Sequence, residues 1–204
     1  MNLLMLDIGT KCGWAVADED APPLPMPPKG AYAHEPDEPP VPFDEAPTLR
    51  ALRHYQHGTW TDPSSYRGRY LHQFGLWLTR RIEIFEPRVL AIEVSVVGLL
   101  NMAQPKEDEQ GNWRRKTNPD TIRKLLGILA IAEAVAAAQG VDLKEVNPSG
   151  MIKLAVGTGR DSGKVARKRR GRALGLPGDD NRLDAIYGLS WVLHDRQSAR
   201  RAAA

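Results

Sequence analysis

The chain has 204 residues, 42% of them hydrophobic and 26% charged, with a formal net charge of +3. That suits one globular domain with a core of its own, and no apolar run approaches the roughly 20 residues that a bilayer-spanning helix needs. The N-terminus lacks a cationic region followed by a signal-type apolar stretch. The single cysteine, Cys12, excludes an internal disulfide and a cysteine-based zinc cluster, and the expected setting is reducing and cytoplasmic.

The first segment, Leu3 to Val16, is an apolar run that ends on Asp7, followed by a glycine-bearing turn and a second apolar run. A carboxylate at the end of a buried strand is costly unless it is paired or holds a metal. Asp7 is therefore a candidate ligand; the alternative is an Asp that only starts a hairpin turn. Cys12 fits a small buried hairpin residue better than a nucleophile. Strands are expected near 2–8, 13–18 and 30–34.

Between Glu19 and Thr48 lie ten of the sixteen prolines, with seven acids and one lysine. Proline removes backbone donors and fixes φ, so this stretch suits neither a regular helix nor a central strand. It reads as an acidic insertion near 19–62. A helix is expected over about 64–85, with Tyr70, Phe74, Trp77, Leu78, Ile82 and Phe85 at helical spacing. After Pro87, the run Arg88 to Glu93 is a short strand that again closes on a carboxylate.

The polar stretch 104–116 reads as a loop. Asn118 caps the following helix with Pro119 at its first position, and Ile122, Leu125, Leu126, Leu129 and Ala136 form its buried stripe. Gly140 stops that helix and 141–146 is the last strand. From Pro148 onward the pattern is helical, broken near 157–159 and 176–178. Residues 160–172 carry seven Lys or Arg against one acid, which is either a solvated helix face or a phosphate-contacting surface. Gly157, Thr158 and Gly159 are either a plain turn or a phosphate-cradling turn ahead of a helix N-terminus, with Lys164 adding charge.

The last helix holds Asp180, Asn181 and Asp184, which share a face because residues three or four apart are neighbours. Asp7 and Glu93 at strand ends and Asp184 on the helix are hard oxygen ligands, suited to Mg²⁺ or Mn²⁺. The five histidines show no metal-ligand spacing. The element order predicts one α/β domain over 1–195, with antiparallel early strands, parallel later strands and flanking helices. A basic, alanine-rich tail is expected over 196–204.

Leu6-Asp7-Ile8-Gly9-Thr10 with Gly13-Trp14-Ala15, the Ala91-Ile92-Glu93 strand end, Asn147-Pro148-Ser149 ahead of Lys153, Val156 to Gly159 with Lys164, and Asn181 to Ala185 occur in an order that resembles the RuvC-like Holliday junction resolvases. These belong to the ribonuclease H-like superfamily, and the likeness is to bacteriophage-type members. It covers most of the chain outside 19–62 and 95–117. The resemblance implies a ribonuclease H-like fold, a homodimer in a bacterial or phage-infected cytoplasm, and Mg²⁺-dependent hydrolysis of phosphodiester bonds in branched DNA, with Mn²⁺ able to substitute. In enzyme terms it implies a crossover junction endodeoxyribonuclease.

It implies that Asp7, Glu93 and Asp184 are metal-binding catalytic acids. Where the family has a further Asp or His, this chain has Asn181, so either Asn181 serves as a neutral ligand or the adjacent Asp180 takes its place. The resemblance also implies DNA contacts by Gly157, Thr158, Gly159, Lys164, Arg167, Lys168 and Arg170, and a base-wedging role for Trp113. Competing readings are an RNA-directed nuclease of the same superfamily and a non-catalytic nucleic-acid-binding relative. An actin-like or sugar-kinase ATPase also opens on an Asp-x-Gly-Thr turn, but it needs a second domain for which this chain is too short.

Overall fold

The computed structural model describes residues 1–9, 11–28, 31–32, 43–63, 66–93, 118–157, 163–176 and 179–203, and the backbone alone at 105–107, 113–115 and 163–164. The strands β1 (Asn2–Asp7), β2 (Cys12–Asp18), β3 (Gln56–Trp60), β4 (Pro87–Glu93) and β7 (Asp142–Glu145) form one sheet in the order β3-β2-β1-β4-β7. β1 pairs antiparallel with β2 and parallel with β4, and β4 pairs parallel with β7. A separate two-stranded ladder joins β5 (Pro105–Glu107) to β6 (Trp113–Arg115).

The helices are α1 (Ala46–Leu52), α2 (Arg67–Phe85), α3 (Pro119–Ala138), α4 (Pro148–Val156), α5 (Gly163–Ala173) and α6 (Asp180–Ala203). β1 is the central strand and is buried on both faces, so its sequence is continuously apolar rather than alternating. Leu3 and Met5 point into one core with Leu154 of α4 and Ile186, Leu189 and Leu193 of α6. Leu4 and Leu6 point into the other, against Phe74 and Leu78 of α2 and Ile128 and Leu129 of α3. The result is the expected mixed α/β sheet with a helical layer on each side.

Several expectations change. Of the strand expected near 30–34, only Ala31 and Tyr32 lie among the described residues, in a turn, and β3 at 56–60 takes the edge position beside β2. The stretch read as an insertion therefore contributes both α1 and a sheet strand. It is also tied to the core through Ala21, Leu24 and Ala51. Part of the region read as a loop, 104–116, forms β5 and β6. Residues 196–203 continue α6 rather than forming a tail. Leu126 is exposed at 36%, and Ile128 and Ala132 take its place on the buried stripe of α3, a shift within the helical period. The Asn118 cap is as expected, its side chain accepting from the Asp120 N–H at 2.9 Å.

Candidate metal centre

Asp7 and Glu93 close β1 and β4, and in the parallel register they are direct partners. Two apolar strands that end together thus deliver two carboxylates to the same rim of the sheet. The third acid arrives from α6, which crosses β1 and β2 so closely that a β-carbon at Gly13 would collide with the main chain of Asn181 and stand 2.8 Å from Arg182 N. Asp184, one turn further along α6, then completes the group: Asp7, Glu93 and Asp184 each offer an oxygen within 4.8 Å of the others. These are three of the residues expected from sequence, and among the described residues they are the only such group of acids, histidines or cysteines.

Like charges this close resist ionising together. Burial first, then the charges of Glu93 and Asp184, push the Asp7 carboxyl well above its ordinary range. Burial followed by the Asp184 charge raises Glu93 to about 7, with the Arg167 guanidinium pulling the other way. An ion pair from Arg167 Nη1 on α5 to Asp184 Oδ1 offsets part of this charge, with both side chains under one-fifth exposed. Glu93 Oε2 is buried without a hydrogen-bond partner. An all-oxygen donor set with an orphaned buried carboxylate oxygen fits a hard divalent cation such as Mg²⁺ or Mn²⁺, and these three acids could hold one.

The acids open into a cleft of about 600 Å³ lined also by Lys11, Ile152, Arg167, Asp179, Asp180 and Asn181. Asn181 and Asp180 diverge within it. The Asn181 amide oxygen lies over the β1–β2 turn, 3.3 Å from where a β-carbon on Gly9 would stand. Asp180 pairs with Lys168 of α5 at 3.1 Å. Asp179 was not among the expected residues: its Oδ1 accepts the Asn181 N–H at 3.2 Å and its Oδ2 accepts from the Thr59 hydroxyl of β3, so it caps α6 and ties it to the sheet edge. An Asp immediately before a helical pattern is the sequence signal for such a cap.

The fold as a whole has counterparts among solved structures. The chain has a ribonuclease H-like fold. A Thermus thermophilus RuvC structure aligns over 97% of this chain and 97% of its own, with a TM-score of 0.54 and 15% identity. T. thermophilus RuvC in complex with Holliday junction substrate aligns over 97% of this chain and 96% of its own, with a TM-score of 0.55 and 14% identity. No family model and no curated protein matches the sequence.

The basic residues of this ribonuclease H-like chain separate in space. Arg170, expected on a phosphate-contacting surface, is fully buried. Its Nε bonds Glu45 at 2.8 Å, its Nη1 bonds the carbonyls of Leu154 and Ala155, and its Nη2 bonds the Pro25 carbonyl. A guanidinium with five donors can satisfy itself in this way where a lysine cannot, so Arg170 is a structural tie between α5, α4 and the 21–52 segment and is not available to DNA. Arg167 and Lys168 instead reach the acids of α6. Gly157 ends α4 in the left-handed region, with φ of 76°. Thr158 and Gly159 lie outside the described residues, as do the side chains of Lys164 and Trp113. His194 is exposed and its ring stacks on Trp191. Among the described residues no helix is long and apolar enough to cross a membrane.

Proposed function

We propose that this protein is a metal-dependent, structure-selective endonuclease that hydrolyses phosphodiester bonds in four-way or otherwise branched DNA. The observation that carries this reading is the convergence of Asp7, Glu93 and Asp184, within 4.8 Å, at the rim of a ribonuclease H-like sheet. One of its structural neighbours is a RuvC held in complex with a Holliday junction substrate, and the motif order in the sequence favours the bacteriophage-type resolvases. One domain carries the activity. A homodimer, matched to the symmetry of a four-way junction, and a cytoplasmic setting belong to the same reading.

Asp7, Glu93 and Asp184 would hold the metal, with Asn181 contributing a neutral oxygen in preference to Asp180, which is engaged by Lys168. Bound divalent ions supply an activated water and stabilise the leaving 3′ oxygen. Asp7, the most deeply buried of the three, would have to be ionised to hold a metal. The cleft is open and polar, matching a backbone substrate rather than a small apolar one. Lys11, Arg167 and Lys168 at its edge supply cations for phosphate oxygens, which position DNA without reading sequence.

The test is cleavage of a labelled four-way junction, a linear duplex and an RNA–DNA hybrid across a Mg²⁺ titration. Metal-dependent cutting of the junction in preference to the other two supports the reading. Preferential cutting of the hybrid would assign the site to RNA, and junction binding without cutting at any metal concentration would assign a non-catalytic binding role. Asp7→Asn, Glu93→Gln and Asp184→Asn should each lower cleavage at least about 10²–10³-fold with junction binding retained.

A further inference from the structure

The cation already inside the acid cluster belongs to the protein. Arg167 reaches Asp184 from α5, and both partners are largely shielded from water, at 16% and 17% exposed. Its charge also acts on Asp7 and Glu93, lowering the cost of ionising each. Three carboxyl groups with ligand atoms within 4.8 Å share their cleft with the Arg167 guanidinium.

The helix that carries Arg167 is held independently of that contact. One turn on, Arg170 is anchored in the core by Glu45, Thr48 and three backbone carbonyls. Ala166 and Leu174 are buried beside it. The Arg167 side chain, with several rotatable bonds, can therefore leave Asp184 while the backbone of α5 stays in place. The neighbouring Lys168–Asp180 pair repeats the arrangement at the mouth of the cleft, with side chains 42% and 30% exposed.

Resting on the nuclease reading above, we propose that Arg167 is a resident counter-cation of the metal centre, which an incoming divalent ion must displace from Asp184 and which is thereby released toward the phosphate side of the cleft. A guanidinium and a divalent cation at contact distance on one carboxylate repel each other across a partly dehydrated site, so each weakens the binding of the other. The ion pair keeps the metal-free protein from burying the Asp184 carboxylate uncompensated beside Asp7 and Glu93. It also sets a threshold: ion binding is weakened by the pair that it has to break.

The experiment is calorimetric titration of Mg²⁺ into the full chain without DNA at pH 8.5, comparing wild type with Arg167→Gln and Arg167→Lys. Removing the competing cation should tighten Mg²⁺ binding about tenfold in Arg167→Gln, whereas Arg167→Lys, which keeps a cation, should stay near wild type. In wild type the side-chain Nε–H resonance of Arg167, identified by its loss in Arg167→Gln, should shift on adding Mg²⁺ with the half-saturation found by calorimetry. Unchanged or weaker Mg²⁺ binding in Arg167→Gln, or an Arg167 resonance that ignores Mg²⁺, would overturn the inference. Should Arg167→Gln fail to fold, the resonance shift in wild type, assigned through Arg167→Lys, decides alone. Since no cleavage is measured, a protein that shows this competition but cuts no junction would refute the nuclease reading and leave the displacement standing.

Discussion

Arg167 and Arg170 stand three residues apart on α5, and their guanidinium groups occupy opposite environments: one bonds Asp184 in the open acidic cleft, the other bonds Glu45 in the core. The same side chain in the same charge run does two jobs, one electrostatic at the site and one structural behind it.

Arg170→Ala should therefore act on stability rather than on DNA. It strands Glu45, itself only 12% exposed, without its cation, and breaking a buried pair from one side costs about 3–5 kcal/mol. Chemical denaturation should show that loss. The salt dependence of DNA binding should keep its slope, since no phosphate contact is removed.

The raised carboxyls make the metal-free protein sensitive to alkali. Glu93 has an ordinary value of 4.5 and is raised to about 7, so its protonated form is the one the fold favours. That contribution to stability is fully present below about 4.5 and is lost as pH rises through about 7, with Asp7 acting in the same direction. Denaturation with chelator present should show stability falling across that window. Glu93→Gln should flatten the fall, and Mg²⁺ should restore stability at the alkaline end.

Gly13→Ala tests the seat of α6. The added methyl must displace the main chain of Asn181 and Arg182, an overpacking that costs about 1–3 kcal/mol and shifts the turn that sets Asp184. Thermal unfolding should report the first effect. Weakened Mg²⁺ binding in protein that still folds should report the second.

Asn181 and Asp180 separate by substitution. Asn181→Asp adds a charged oxygen over the β1–β2 turn and should lower the half-saturating Mg²⁺ concentration for cleavage. Asp180→Asn frees Lys168 and should leave that concentration nearly unchanged. The reverse pattern in a Mg²⁺ titration of junction cleavage would make Asp180 the ligand.

The two strand-end acids and the helix acid were legible in the sequence because each ends or punctuates an apolar pattern, and buried carboxylates stand out against such a background. The cap at Asn118 was legible for a local reason, a side chain bonding its own helix. β3 was not: Gln56-His57-Gly58-Thr59-Trp60 is a half-buried edge strand, and its pairing with β2 is a long-range choice that no local period announces. Nor was the burial of Arg170. A run of cations looks uniformly solvated until the carbonyls that surround one member are brought in from Pro25, Leu154 and Ala155. The pairing of Arg167 with Asp184 was hidden in the same way, since that acid lies seventeen residues away on another helix.

The acids that cluster are drawn from positions 7, 93 and 184. A growing polypeptide thus makes Asp184 last of the three, on the same helix whose buried residues from Leu183 to Leu193 join the core on one side of the sheet. Completion of that side of the core and completion of the acid cluster therefore both require α6. A chain interrupted before α6 lacks the α6 side chains that pack on Leu3 and Met5 and leaves Asp7 beside Glu93 without Asp184, so unfinished copies carry no assembled acid cluster.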